Sequence, residues 1–403
     1  MLVSPKILWF LALGFLPSTL LAIPMPSQEE MWKMLQAQQQ EIQELKKQLK
    51  KTDEKAEAAV EVADSHTSTN TADGAPGWWK NTQLGGYGEL HYNGGDKDRV
   101  DFHRFVVMVN HQFNDDIRLY SEVELEHSLS GDDEPGEVEL EQAFIEFNLN
   151  ESLRAKTGLF LVPVGMLNER HEPTTFFGVE RNPIESNIIP TTWWEAGAAL
   201  SGEFADQFQY DIALHSGLET PIEGDSAFNI RSGRQKVANA TAKDGAVTGR
   251  INWNGVSGVS VGGSVQYQND ITQSSLSEDI SALLLSTHTD IRKGPVGFRA
   301  MYAHWDLDGD APSLVGRDTQ DGWFVEPSYF FDTDAGEIGL FGRYNRYDNQ
   351  GGSSMDTEYE QFDVGLNFWP HPNVVLKADM AFVNAPSSGN DDEILNLGVG
   401  FHY

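Results

Sequence analysis

Within residues 163–190 the chain sets carboxylates, guanidinium groups and an imidazole close together: Glu169, Arg170, His171, Glu172, Glu180, Arg181 and Glu185. Such a set can move protons, hold a metal or organise an electric field. The neighbouring residues narrow the choice. His171-Glu172 lacks a second histidine four residues after the first, so it is not the helical zinc-protease pattern. No Gly-x-Ser-x-Gly elbow occurs, and the sequence has no cysteine, which removes thiolate nucleophiles, cysteine-ligated zinc and disulfides together. Asp306, Asp308, Gly309 and Asp310 fail the calcium-loop spacing, because the glycine is not sixth and no closing glutamate follows. The expectation is a protein that is not an enzyme and needs no cofactor or resident metal. The charged residues are left to act on ions.

The elements that would carry such charges are strands. Phe105, Val107, Val109 and Phe113 alternate with Arg104, Asn110 and Gln112, and Ile117, Leu119, Val123 and Leu125 alternate with Arg118, Glu122, Glu124 and Glu126. The same period of two returns at 208–215, 259–266 and 362–368. Short turns at 114–115, 150–151, 205–206, 254–255, 293–294, 332–335 and 370–371 alternate with longer polar segments near 94 and 131 and at 163–190, 218–244, 270–278, 307–320, 349–355 and 385–391. This gives an all-β chain of about sixteen antiparallel strands, with short turns on one rim and long loops on the other, as transmembrane barrels have. Phe113, Phe204, Trp253, Phe331, Phe368-Trp369, Phe401 and Tyr403 stand beside the short turns or at the last strand's end, where an interfacial girdle of aromatics would lie. With the apolar face in lipid, the polar face must surround water. The inward parity then carries Arg104, Arg118, Arg154, Lys156, Arg250, Arg299, Arg343 and Lys377 as candidate pore-lining bases.

Residues 1–22 read as a secretory signal peptide, its apolar run too short to span a bilayer. Met31, Leu35, Gln38, Ile42, Leu45, Leu49, Thr52, Ala56 and Ala59 form a heptad seam, so 23–64 are expected to be a periplasmic helical coiled coil, followed by a flexible linker at 65–77 and the barrel at 78–403. The formal net charge of −33 repels nucleic acid. Partners expected instead are outer-membrane lipid and lipopolysaccharide, small hydrophilic solutes or inorganic ions, and two further copies of the chain in a homotrimer.

The stretch 158–202, with Leu161-Val162-Pro163-Val164-Gly165, Asn168-Glu169, His171-Glu172-Pro173, Glu180-Arg181-Asn182-Pro183, Ile189-Pro190-Thr191-Thr192-Trp193 and Glu195-Ala196-Gly197, resembles the phosphate-selective porin O and P family of bacterial outer membranes. Ile230-Arg231-Ser232-Gly233-Arg234-Gln235 resembles it too. The resemblance implies a sixteen-stranded trimeric porin selecting phosphate through basic residues. The residues themselves point elsewhere. Glu122, Glu124, Glu126, Glu146, Glu195, Glu203, Asp211, Asp290, Glu326, Asp363 and Asp379 share the inward parity and outnumber the bases, which predicts cation preference or little selectivity. The expected function is passive diffusion of small hydrophilic solutes or ions through a pore narrowed by loop 163–190 folded inward, its acids either setting a transverse field against the wall bases or pairing with them to fix the loop. An anion-selective porin and a structural or adhesive barrel with a closed pore are the alternatives.

Overall fold

The computed structural model describes residues 77–403 apart from 96–97, 132, 206, 275–277 and 388. The signal peptide, the coiled coil and all but the last residue of the linker lie outside the described residues.

Alternation decides the architecture, because a half-apolar strand can satisfy its backbone in lipid only by closing into a barrel. The strands are β1 (Thr82–Gly94), β2 (Arg99–Asn114), β3 (Ile117–Glu126), β4 (Val138–Asn150), β5 (Leu153–Leu161), β6 (Trp194–Phe204), β7 (Phe208–His215), β8 (Ala246–Val256), β9 (Val259–Gln268), β10 (Ala282–Lys293), β11 (Val296–Leu307), β12 (Thr319–Thr333), β13 (Gly336–Asp348), β14 (Tyr359–His371), β15 (Val374–Asn384) and β16 (Asp392–His402). Each pairs with its sequence neighbours, and β1 closes on β16, with Tyr87 opposite His402 and Glu89 opposite Gly400. All sixteen pairings are antiparallel.

Outward positions are apolar and uncovered around the circumference, among them Val107 and Val123, Leu200 and Ile212, Val261 and Leu285, Leu340 and Val364, Leu376 and Leu397. A belt that size has no place on a protein surrounded by water. No described helix is long and apolar enough to cross a membrane.

Two expected turns move toward the chain end. Strand β8 runs to Val256 and turns at Ser257-Gly258 rather than at Asn254-Gly255, and β14 runs to His371 and turns at Pro372-Asn373. Gly258 (φ 70) supplies the left-handed backbone that the first turn needs, which explains why it outcompetes Asn254-Gly255. The aromatic girdle also needs one correction. Trp369 turns inward, donates Nε1–H to Thr174 O at 3.3 Å and packs on Phe177 and Phe330. Parity explains it: Val364 and Leu366 point out, so Trp369 cannot.

Candidate functional site: two inward loops and an arginine cluster

The lumen is filled from one side by two connections. The first, residues 162–193, joins β5 to β6 and closes on itself at its neck. Asn168 Nδ2 donates to Val162 O and to Trp193 O, both at 2.8 Å, while Asn168 Oδ1 accepts from Trp193 N at 2.7 Å. Glu185 sits in the middle of the loop rather than on its surface. Fully buried, it accepts from Met166 N, Leu167 N and Asn182 Nδ2 at 2.6, 2.7 and 3.0 Å. Burial raises the Glu185 carboxyl, and the Leu167 amide is the foremost group opposing that shift. Its expected part in a field across the pore is therefore corrected: its oxygens serve the loop's own backbone.

The loop then crosses to the far wall. Arg104 Nη2 on β2 donates to His171 O at 2.7 Å, Asn367 Nδ2 on β14 to Phe176 O at 3.0 Å, and Val179 N to Asp379 Oδ2 on β15 at 2.7 Å. Wall glycines permit this approach. A Cβ on Gly400 would stand 2.5 Å from Pro173, and one on Gly339 would stand 2.8 Å from Phe177. On the other side Ile184, Ile188, Ile189 and Trp193 pack on Met301, Ala303, Trp305 and Phe324.

The second connection, residues 216–245, also turns inward, bringing Leu218, Phe228 and Ile230 into the same apolar cluster. In the sequence it reads as a long polar segment that carries the family-like run 230–235. Within that run Ile230-Arg231-Ser232-Gly233-Arg234 sets an apolar anchor beside two spaced arginines, with nothing to show that the segment folds inward.

His171 fastens the first loop to β1, β3 and β4. Its Nε2 lies 2.6 Å from Tyr87 Oη and 3.4 Å from Glu141 Oε2, and its Nδ1 lies 3.1 Å from Asn168 O. Burial alone would lower its pKa, but the contacts to Glu122 and Glu141 overcome that and raise it to about 9. Glu180, at the loop tip, meets His91 Nδ1 at 3.1 Å; burial would raise it, and the His91 contact prevails, holding it at about 2. The signs fix a window. His171 contributes fully below its unfolded value of about 6.5 and loses that contribution as pH rises through about 9. Glu180 contributes above about 4.3 and loses it as pH falls through about 2. The loop is expected to be held most firmly between about pH 4.5 and 6.5; limited proteolysis of residues 163–190 across pH 4–10 checks this, and cleavage that does not rise above pH 8 would count against the His171 anchor.

All eight bases expected at the pore share the inward parity, but their surroundings differ. Six of them meet acids, five directly across the sheet register. Arg104 faces Glu89 at 2.5 Å, Arg250 faces Asp211 at 2.6 Å, Arg343 faces Asp363 at 2.9 Å, and Arg118 faces Glu146. Arg299 binds Asp290 at 3.1 Å, while Glu169 reaches Lys156 at 3.5 Å and Arg250 at 2.5 Å. Arg154 is exposed among Asp116, Glu151 and Glu203, and Lys377 places Nζ 3.6 Å from the centre of the Phe176 ring. Arg170 is exposed in the same cavity as Arg250 and Arg299, and Glu172 serves its neighbour through its carbonyl, which accepts from Thr175.

The loops supply the other group. Arg181 Nη1 donates to Thr192 Oγ1 at 2.9 Å, Arg234 Nη1 to Thr192 O at 2.6 Å, and Arg231 Nη1 to Ser186 O. Among the described residues none of the three has an ion-pair partner. Burial, then the positive charges of Arg234 and Arg181, lowers Arg231 to about 10, which leaves it charged at neutral pH. Arg181 and Arg231 line one cavity with Ser186, Asn187 and Thr191, and the buried Thr191 Oγ1 has no hydrogen-bond partner there. Glu89, Glu180, Asp363 and Asp379 also line the cavity, but Arg181 and Arg231 are not ion-paired with them, so an oxyanion entering it would meet guanidinium and hydroxyl donors still free to bind it.

An uncharacterized protein of Aquifex aeolicus (strain VF5) is 30% identical over 343 residues, covering 74% of this chain and 75% of that protein. The chain belongs to its family. No family model matches the sequence, so the resemblance to the O and P porins rests on the residues quoted for it. Among solved structures the barrel is similar to the outer membrane channel DcaP of Acinetobacter baumannii (14% identity, TM-score 0.56, 80% of this chain and 97% of that one). It is also similar to an anion-selective porin from Comamonas acidovorans (11%, 0.56, 80% and 99%) and to the trimer form of OmpT, an outer membrane protein of Vibrio cholerae (9%, 0.53, 80% and 99%). At these identities the likeness establishes a porin fold.

Proposed function

We propose that this chain is an outer-membrane porin through which small hydrophilic solutes diffuse passively, and that its constriction prefers anions. The reading rests on one observation: the strand bases are largely cancelled by acids in register, whereas Arg181, Arg231 and Arg234 meet at the constriction with no carboxylate partner among the described residues. A net acidic composition does not oppose this, since ion preference follows the uncompensated charge at the narrowest point. The apolar outward belt supports the membrane location, and the arginine forks suit carboxylate, sulfate or phosphate oxygens alike, with phosphate as the finer version of the same reading. We further assign the working unit as a homotrimer, with the N-terminal segment on the periplasmic side.

A closed, structural barrel is favoured by the apolar packing of both inward loops. Reconstitution in planar bilayers separates the two. Stepwise conductance with a reversal potential of anionic sign in a salt gradient is expected; an absence of steps would support the closed barrel, and a cationic sign would remove the arginine cluster from the selectivity filter.

A further inference from the structure

Bordering the cavity that Arg181 and Arg231 also line, β1, β2 and the end of β3 carry a column of imidazoles, of which His103 and His127 have no part in the anion reading. His91 stacks on His103 with ring centres 4.6 Å apart, and His103 meets His127 edge-on at 5.8 Å. The pattern follows from backbone placement. Asp101 and His103 are two apart on β2, while His127 follows β3 and donates its backbone N–H to His103 O at 3.1 Å. His127 has φ 53, in the left-handed region that histidine enters more readily than most side chains. That conformation accompanies a ring reaching Asp101.

The result is three ligands, two imidazoles and one carboxylate, gathered at one point. Asp101 Oδ2 lies 2.8 Å from His127 Nδ1 and 3.4 Å from His103 Nδ1, and the ligand atoms of the three residues lie within 4.8 Å of one another. A tetrahedral ion with bonds of about 2.0–2.1 Å needs ligand atoms about 3.3 Å apart, so side-chain adjustments of about 1 Å suffice. The side chains are neither sealed nor loose: both histidines are 35% exposed and Asp101 is 28% exposed. A hydrated ion can therefore reach them while a fourth position stays open to water. Glu89 and Glu180, both touching His91, add negative charge beside the column.

We propose that Asp101, His103 and His127 form a binding site for a late first-row divalent metal ion, of which zinc is the representative. Two imidazoles and one carboxylate suit zinc, copper or nickel, whereas calcium and magnesium take oxygen ligands. Binding through Nδ1 moves each imidazole proton to Nε2 and replaces the hydrogen bonds to Asp101 with coordination; no other bond changes. Because His103 stacks on His91, and His91 holds the loop tip at Glu180, the ion would sit beside the contact that fixes the constriction loop.

The test uses the full chain, purified in detergent, with zinc chloride alone in equilibrium dialysis. One zinc per chain is expected, with affinity reduced at least tenfold in the double variant His103→Gln, His127→Gln and unchanged in His371→Gln, which lies on the opposite rim. Should the double variant fail to fold, as judged by heat-modifiable gel mobility, His127→Ala alone, outside the strands, is expected to lower affinity by the same order. No stoichiometric zinc on the unaltered chain would overturn the proposal, as would unaltered affinity in the folded variants. Dialysis requires no conductance, so a failed pore reading would leave this result standing.

Discussion

Replacing Arg181 and Arg231 together with alanine is expected to abolish the anion preference and move the reversal potential toward the cationic sign. Both residues line one cavity and neither has an ion-pair partner among the described residues, so their charge is less offset than that of the wall bases, although Glu89, Glu180, Asp363 and Asp379 share the cavity lining. A unit charge about 6 Å from an ion at an effective dielectric of about 40 is worth about 1.4 kcal/mol, roughly tenfold in relative permeability for each arginine removed. The same substitution at Arg343, held by Asp363 and Glu326, is expected to shift selectivity in the same direction but to disturb folding more, because it strands two buried acids. A double variant with the selectivity of the unaltered protein would show that another group sets the preference.

Unlocking the loop is expected to have the larger effect on conductance. Glu185→Ala removes the acceptor for two backbone N–H groups and the Asn182 amide in a region sealed from water. Each buried donor left without a partner costs about 1–3 kcal/mol, enough to release a loop whose anchors act together. The sixteen strand pairings do not depend on Glu185, so the barrel is expected to keep its resistance to heat while single-channel conductance rises several-fold and the loop becomes open to protease. Glu185→Gln keeps one acceptor oxygen and should fall between. Unchanged conductance in a Glu185→Ala protein whose loop is cleaved would mean that residues 162–193 do not limit flow.

Much of this molecule was readable beforehand for a simple physical reason. A strand with lipid on one side and water on the other must alternate, and a turn between two such strands must break that alternation, so strand number, strand order and the place of the long connection at 163–190 are local properties of the chain. Inward parity of Arg104, Arg250 or Arg343 is local in the same sense. Whether those charges act on a solute is not. Register decides that, and it sets Glu89, Asp211 and Asp363 directly opposite them, because neighbouring strands slide until unlike charges and outward apolar side chains both match. Composition counted acids against bases and could not see the cancellation. The Arg181–Arg231–Arg234 cluster joins two loops some fifty residues apart in the chain and exists only because Ile184, Ile188, Phe228 and Ile230 bury themselves together inside the barrel. Period and turn chemistry thus built the wall, and the packing of two loops within it chose which charges remain to meet a solute.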